Sequence, residues 1–108
     1  MKVYIVDIDG TICNEFSNQD GSKNYNKATP IKNRIKHING LFDKGNDIHY
    51  WTARGSVSGL DHKKLTTNQL AKWGCKYTSL RVGDKPHYDI WIDDKAIWSE
   101  EYFKNNDH

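Results

Sequence analysis

The stretch VYIVDIDGT, residues 3–11, places two carboxylates directly after an apolar run. Within residues 2–8, apolar side chains occupy both odd and even positions, which is typical of a parallel strand covered on both faces. Asp7 and Asp9 come where this strand ends, and Gly10 allows the backbone to turn sharply away. Ligands of parallel sheets bind beyond the carboxyl ends of the strands. The stretch therefore predicts a buried first strand that brings two acids to a binding edge.

Length and composition favour one folded domain over residues 1–108. Hydrophobic residues make up 36% of the chain and charged residues 28%, enough apolar surface for one core beneath a well-solvated exterior. The formal net charge is only +2, and the basic residues are spread along the chain. Composition alone thus gives no sign of nucleic-acid binding, while a phosphorylated small molecule remains compatible with it.

The cysteines and the N-terminus indicate the compartment. Cys13 and Cys75 form no CxxC pair and have no partner at zinc-finger spacing, so we expect two free thiols in a reducing environment. The acids at positions 7 and 9 interrupt the first apolar run far short of a signal-peptide core, and no run is long enough to cross a bilayer. These features predict a soluble, cytoplasmic protein without a membrane partner.

The region after the first strand predicts a flap and then a helix. Residues 12–28 are polar, rich in Asn, Ser and Gly, and show neither helical nor strand periodicity. A loop of this length in a small domain is usually functional. Thr29 as N-cap, Pro30 at the first helical position and apolar residues at helical spacing predict a helix that stops at Gly45.

The remaining segments alternate strand-like and helix-like runs. In order along the chain, we expect a strand over 48–52, a loop over 53–59, a helix over 61–73, strands over 76–82 and 88–94, and a helix over 96–103. Such alternation predicts a parallel sheet with right-handed crossovers and helices on its faces. The fold class is therefore α/β, a single three-layer Rossmann-like domain with a parallel sheet flanked by helices.

Polar side chains end three of the predicted strands. Asp7, Thr52 and the pair Asp93 and Asp94 all fall at carboxyl ends, which share one edge of a parallel sheet. Two carboxylates held close together repel, and a cation allows both to stay ionised. Hard oxygen ligands of this kind suit Mg²⁺. The sequence thus predicts a magnesium-dependent site at this edge.

Each residue also has an ordinary structural interpretation when it is taken alone. Asp-Gly dipeptides are common in solvated turns, a strand-end hydroxyl such as that of Thr52 often caps a backbone group, and a single Lys such as Lys85 is usually solvated. A calcium-binding loop does not fit, because its twelfth position would be Asn18 instead of Glu. The functional interpretation is favoured because all these residues occur together in one chain.

Four short segments carry a resemblance to a known family. They are DIDGT (7–11), YWTARG (50–55), GDKPHYD (83–89) and IWIDDKA (90–96). Together they resemble the haloacid dehalogenase superfamily of phosphohydrolases, over nearly the whole chain. YWTARG (50–55) and KPHYDIWIDDKA (85–96) are especially similar to small capless members associated with capsule and lipopolysaccharide biosynthesis. The gaps between the motifs, about forty and about thirty residues, are already used by predicted helices, so no cap domain is expected.

The resemblance implies a covalent route for phosphoryl transfer. Asp7 would be the nucleophile that forms an aspartyl phosphate, which divides one difficult displacement into two easier steps. Asp9 would protonate the leaving oxygen and then activate the water that hydrolyses the intermediate. An acid at this second position favours hydrolysis of phosphate esters over dehalogenation.

The resemblance also assigns two phosphate-binding residues. Thr52 and Lys85 would bind the non-bridging phosphoryl oxygens, whose negative charge the transition state redistributes. Lys85 is preferred because it comes shortly before the last predicted strand, and Lys63 and Lys64 remain alternatives.

Mg²⁺ is the cofactor that the resemblance implies. Its ligands would be the side chain of Asp7, the backbone carbonyl of Asp9 and the side chain of Asp94. The residues expected to support the site are Gly10, Thr11 and Asp93. Arg54 is either a candidate contact for an anionic or sugar group of the substrate or an exposed arginine without a role.

These inferences lead to one main expectation and two alternatives. The main expectation is a phosphatase of a small phosphorylated metabolite such as a sugar phosphate. An open site also admits a nucleotide or polynucleotide end. A receiver-like phosphoacceptor module, which does not catalyse turnover, uses similar acids but lacks the second acid followed by Gly and Thr. A partner chain could contribute to substrate choice, so an oligomer is compatible with the sequence.

Overall fold

The strands of the main sheet are parallel, so the polar residues at their carboxyl ends lie on the same side of the molecule. A computed structural model describes residues 1–55 and 61–106. Along the chain the elements are β1 (Val3–Val6), β2 (Cys13–Asn14), a 3₁₀ turn (Tyr25–Lys27), β3 (Thr29–Pro30), α1 (Lys32–Asp43), β4 (Asp47–Thr52), α2 (Lys63–Lys72), β5 (Ser79–Val82) and α3 (Ser99–Asn106). The parallel strands lie in the order β1-β4-β5, and β2 pairs with β3 in a separate antiparallel ribbon. The prediction of a Rossmann-like α/β fold with helices flanking a parallel sheet is confirmed.

The central strand β4 explains where the core lies. Its side chains alternate between buried and half-buried, so that Ile48, Tyr50 and Thr52 point into the core. Each helix contributes apolar side chains to this same core, which are Ile35 and Ile38 of α1, Leu70 of α2 and Phe103 of α3. Burial of these groups is the main stabilising contribution to the fold.

The strand β1 differs from its prediction. It was expected to be covered on both faces, but it pairs only with β4 among the described residues and forms the edge of the sheet. Val3 and Ile5 are 60% and 63% exposed, whereas Val6 is buried. The expectation that both faces of β1 are covered is wrong, because no strand or helix among the described residues covers the side chains of Val3 and Ile5.

The segment 88–94, predicted as a strand, is an extended surface segment without strand pairing. Aromatic contacts hold it instead: the ring of Trp91 packs edge-to-face on Trp51 with centroids 6.2 Å apart, and on Tyr88 at 4.9 Å. Ile90 and Ile92 are 79% and 92% exposed. The alternating side chains of Tyr88, Ile90 and Ile92 thus remain exposed, and Asp93 and Asp94 are not at the end of a strand.

The flap is more structured than predicted, and this shifts the start of α1. The predicted cap and first helical residue, Thr29 and Pro30, instead form β3, which pairs with Cys13 and Asn14. The helix begins at Lys32, and no side chain caps it. Its end matches the prediction, because a positive φ of 93° at Gly45 stops the helix there.

The other helices lie close to their predicted positions. The helix predicted over 61–73 begins at Lys63, where Asp61 accepts a hydrogen bond from the Lys63 N–H at 2.9 Å, and ends at Lys72. The last helix begins at Ser99, three residues later than predicted. The loop predicted over 53–59 is described only as far as Gly55, and its remainder lies outside the described residues.

Two expectations from composition can be compared with the structure. Cys13 and Cys75 are free thiols, as predicted. Among the described helices, none combines the length and the apolar character that a bilayer crossing requires.

Burial predicts that the same substitution on two neighbouring strands changes the stability by very different amounts. Ile48→Ala should lower the free energy of unfolding by about 2–5 kcal/mol, because the removed atoms lie in a closely packed core. Ile5→Ala removes an exposed side chain and should change the stability by about 0.5 kcal/mol or less. Urea denaturation followed by circular dichroism measures both values. An equal loss in the two variants would contradict the buried and exposed assignments.

Candidate active site

Asp7 and Lys85 contact each other at the carboxyl ends of the parallel strands. The Lys85 ammonium lies 3.2 Å from Asp7 Oδ1, although the two residues are 78 positions apart in the sequence. The hydroxyl of Thr11 donates a hydrogen bond to the other oxygen, Asp7 Oδ2, at 3.3 Å. The structure thus brings together three residues that the sequence assigned to one site.

Asp7 carries a carboxylate in a partly desolvated position. Although 40% of its side chain is exposed, burial is the largest influence on the pKa of Asp7 and raises it. The Lys85 ammonium and the Ile8 N–H act in the opposite direction, but the net pKa lies above the ordinary value. A further cation beside Asp7 would favour its ionised form, which is the form able to attack phosphorus.

Lys85 is enclosed by aromatic rings. It is 9% exposed, and its ammonium lies about 6 Å from the ring centroids of Trp51, Tyr88 and Trp91. These rings, together with Asp7, surround the lysine ammonium. Lys63, one alternative to Lys85, instead donates to the Leu80 carbonyl at 2.7 Å.

Asp9 is held by Arg54 in a bidentate ion pair. The Arg54 Nε donates to Asp9 Oδ2 at 2.9 Å, and Nη2 donates to Asp9 Oδ1 at 2.8 Å. Such paired bonds fix the plane of a carboxylate as well as its position. Arg54 is only 1% exposed, so the expectation of an exposed arginine without a role is wrong. Its guanidinium binds the second acid of the site, and the contact with a substrate group stays a prediction.

The opposite side of Arg54 contacts residues that sequence reasoning missed. Its Nη1 donates to Thr66 Oγ1 at 3.2 Å and to Gln69 Oε1, and its guanidinium carbon lies 4.8 Å from the centre of the Tyr25 ring. Thr66 and Gln69 are buried on α2. Thr66 and Gln69 lie three positions apart on the inward side of α2, and two buried polar side chains at this spacing indicate a buried polar partner.

Thr52 lies at the end of β4 and is 1% exposed. Its Oγ1 accepts a hydrogen bond from the Arg54 N–H at 3.2 Å, which is the capping role that a strand-end hydroxyl often has. This bond uses the oxygen as an acceptor and leaves the hydroxyl proton available for donation. The observed capping and the expected binding of a phosphoryl oxygen are therefore compatible.

Gly10 turns the chain back immediately after Asp9. Its φ is +77°, a conformation that favours glycine, and its N–H donates to the Cys13 carbonyl at 2.9 Å. The Ser99 hydroxyl of α3 donates to the Gly10 carbonyl at 3.4 Å. The turn thereby joins the flap and the last helix to the end of the first strand.

Asp93 and Asp94 occupy the exposed segment and do not join the cluster. Asp93 accepts hydrogen bonds from the Lys95 N–H at 2.8 Å and the Trp91 indole at 3.4 Å, and these bonds, the first above all, lower the pKa of Asp93. Within residues 1–55 and 61–106, no three acidic, His or Cys side chains group closely enough to hold a metal ion. The predicted ligand set needs only two side chains and one carbonyl. Asp7 suits Mg²⁺ by its oxygen chemistry, whereas the described contacts of Asp94 do not link it to Asp7.

A groove among the described residues lies away from these acids. It encloses about 900 Å³ between α1 and the end of α2, and none of the predicted site residues lines it. Its lining includes Trp73 and the lysines Lys32, Lys36, Lys72 and Lys76. The groove and the cluster of paired acids and cations are therefore separate features of the molecule.

Comparisons with known proteins support the fold. No family model and no curated protein matches the chain. A solved structure from Vibrio cholerae, described only as a crystal structure of a structural-genomics target, is similar to it with a TM-score of 0.76 and 26% sequence identity. The similarity covers 94% of this chain and 87% of that protein. Nearly the whole chain thus shares its arrangement with an experimentally determined structure.

The environment of the thiols predicts low reactivity. Burial, together with the nearby Asp9 charge, raises the pKa of Cys13 to about 12, and burial raises the pKa of Cys75 to about 11. Both groups should remain protonated at pH 8, and the thiolate is the reactive form. Iodoacetamide should therefore label the native protein slowly and the urea-unfolded protein completely, as measured by mass spectrometry. Rapid labelling of Cys13 in the native protein would contradict this environment.

Proposed function

We propose that the protein is a Mg²⁺-dependent phosphatase that hydrolyses a phosphomonoester through an aspartyl phosphate on Asp7. The observation that supports it most is the 3.2 Å contact between Lys85 and Asp7. A nucleophilic carboxylate beside a cation that can also bind phosphoryl oxygens is the arrangement this reaction needs. The resemblance to haloacid dehalogenase phosphohydrolases assigns the same roles to the same two residues.

Asp7 would attack phosphorus with one carboxylate oxygen, and the bond from phosphorus to the leaving oxygen would break. Thr11 holds one oxygen of Asp7, and Lys85 contacts the other. As negative charge shifts to the non-bridging oxygens, Lys85 and the Thr52 hydroxyl would donate hydrogen bonds to them. Water then attacks the aspartyl phosphate and releases inorganic phosphate with regeneration of Asp7.

Asp9 would move the protons in both steps. In the first it donates a proton to the leaving oxygen, and in the second it accepts one from the attacking water. A carboxylate has about four lone-pair positions, and Arg54 occupies one on each oxygen, so positions remain for a proton. The same ion pair keeps the carboxylate in a fixed orientation between the two steps.

Mg²⁺, when bound, would offset the negative charge shared by the nucleophile and the phosphoryl group. Asp7, the Asp9 carbonyl and Asp94 are the groups that would hold it. The substrate is proposed to be a small phosphorylated metabolite such as a sugar phosphate, because the net charge of +2 is small and the basic residues are spread along the chain, which favours a small molecule over a polymer.

A second candidate function, a phosphatase of polynucleotide ends, is favoured by the basic groove. Four lysines and the ring of Trp73 line it, and single-stranded nucleic acids bind such combinations of cations and aromatic rings. Salt-dependent binding of an oligonucleotide with dephosphorylation of its end would favour this candidate. Turnover of sugar phosphates without oligonucleotide binding would favour the small metabolite.

Asp7→Asn tests the nucleophile. The amide cannot form the acyl phosphate, so steady hydrolysis of p-nitrophenyl phosphate in Mg²⁺ should fall roughly a thousandfold or more. The matched control is Asp43→Asn, which alters an exposed acid that pairs with Lys76. Near wild-type turnover by the Asp7 variant would refute the assignment. Wild-type protein that releases no more than one equivalent would indicate a receiver-like module.

The metal requirement gives a separate test. EDTA should abolish turnover, and added Mg²⁺ should restore it, because the phosphoryl charge needs a divalent cation. Asp94→Asn should raise the Mg²⁺ concentration for half-maximal activity about tenfold or more. Full activity in EDTA would rule out a metal-dependent reaction, and an unchanged Mg²⁺ requirement in Asp94→Asn would remove Asp94 from the ligand set.

A further inference from the structure

The hydrogen bonds of Arg54 divide between two sides. Its Nε and Nη2 bind Asp9, while Nη1 binds Thr66 and Gln69 on α2. The guanidinium is planar and rigid, so the acceptors on Nη1 set the direction in which the other two nitrogens point. Because Arg54 is fully buried, protein groups instead of water must provide this orientation.

Gln69 contacts both Arg54 and the flap. Its Oε1 accepts from Arg54, and its Nε2 donates to the Tyr25 carbonyl at 2.6 Å. The ring of the same tyrosine lies over the guanidinium. Gln69 is 9% exposed and is followed on α2 by the fully buried Leu70, which anchors this part of the helix. One amide group thus joins α2, the flap and the guanidinium.

We propose that Gln69 is a positioning residue that aligns Asp9 through Arg54 and holds the flap closed through the Tyr25 carbonyl. The inference rests on the proposed function of Asp9 as the proton donor and acceptor. Gln69 lies one residue removed from the reacting atoms, since Arg54 stands between it and Asp9. The flap and the acid are therefore positioned by the same side chain.

This role predicts a dependence on the leaving group. A misaligned Asp9 donates its proton poorly, and the loss is greatest when the departing oxygen is strongly basic. The p-nitrophenolate ion departs with little assistance, whereas phenolate, with a pKa of about 10 like that of tyrosine, needs the proton more. A defect confined to overall folding would lower both rates by the same factor.

The first experiment compares kcat/KM for phenyl phosphate and p-nitrophenyl phosphate, since this constant reports the step in which the leaving group departs. Gln69→Leu should lower the value for phenyl phosphate at least about tenfold more than that for p-nitrophenyl phosphate. The matched control is Asn68→Leu, which changes an exposed amide on the same helix and should leave the ratio unchanged. An unchanged ratio in Gln69→Leu would overturn the positioning role.

A conservative variant separates the two contacts of Gln69. Gln69→Glu keeps an oxygen that accepts from Arg54 but cannot donate to the Tyr25 carbonyl when ionised. In this variant the ratio of kcat/KM for the two substrates should return to within about threefold of the wild-type ratio. A residue that only fills the space of Gln69 would not restore this ratio. A ratio as poor as that of Gln69→Leu would contradict alignment through Arg54.

Limited trypsin digestion tests the flap contact without reference to catalysis. Lys23 and Lys27 flank Tyr25, so both Gln69 variants should be cleaved there several times faster than the wild type and Asn68→Leu. Equal cleavage would overturn the flap contact. If Gln69→Leu fails to fold in thermal denaturation, Gln69→Met replaces it with a side chain of similar length.

The two proposals fail in distinguishable ways. Absence of Asp7-dependent turnover in the wild type would overturn the proposed function and, with it, the alignment of Asp9. An active wild type whose substrate ratio is unaffected by Gln69→Leu would overturn the alignment alone.

Discussion

The buried ion pair between Arg54 and Asp9 is the interaction on which the site depends. A guanidinium removed from water is strongly destabilising unless hydrogen bonds and an opposite charge surround it. Arg54 meets this condition only because the end of β1, the helix α2 and the flap come together around it. Because the buried charge of Arg54 must be paired, the position of the flap is linked to that of Asp9. Removal of any one partner would leave part of this charge unpaired and would lower the stability of the protein.

The two acids of the site differ in the cation that each one faces. Asp7 pairs with Lys85, a point charge on a flexible stem that can transfer its contacts to phosphoryl oxygens. Asp9 pairs with Arg54, whose rigid fork and burial prevent such exchange. Asp7 is also the more exposed of the two, at 40% against 13% for its neighbour. These differences agree with the roles proposed for the two acids, contact with the substrate for Asp7 and proton transfer from a fixed position for Asp9.

Local sequence patterns predicted the elements whose partners are hydrophobic and failed where distant pairing decides the structure. The spacing of Ile35 and Ile38 identified α1, but its start was misplaced because Thr29 and Pro30 pair with residues across the flap. The alternation in 88–94 resembles a strand, yet a strand forms only if a neighbouring edge pairs with it. The burial of Arg54 could not be read locally, since Gln69 lies fifteen positions away. The position at a strand end indicated Asp7, whereas Lys85 came from the motif resemblance, because a lysine outside any predicted strand end carries no such signal.

The exposed segment between Lys85 and Ser99 contacts the candidate active site at both of its ends. Lys85 contacts Asp7, and the Ser99 hydroxyl contacts the Gly10 carbonyl beside Asp9. A chain spans at most about 3.5 Å per residue, which keeps Asp94 within about 18 Å of Ser99. Contacts at both ends thus tie the segment that carries Asp94 to the residues around Asp7 and Asp9. A divalent ion that binds Asp7 would favour those arrangements of the segment in which Asp94 also contributes an oxygen, because only they gain the additional ligand.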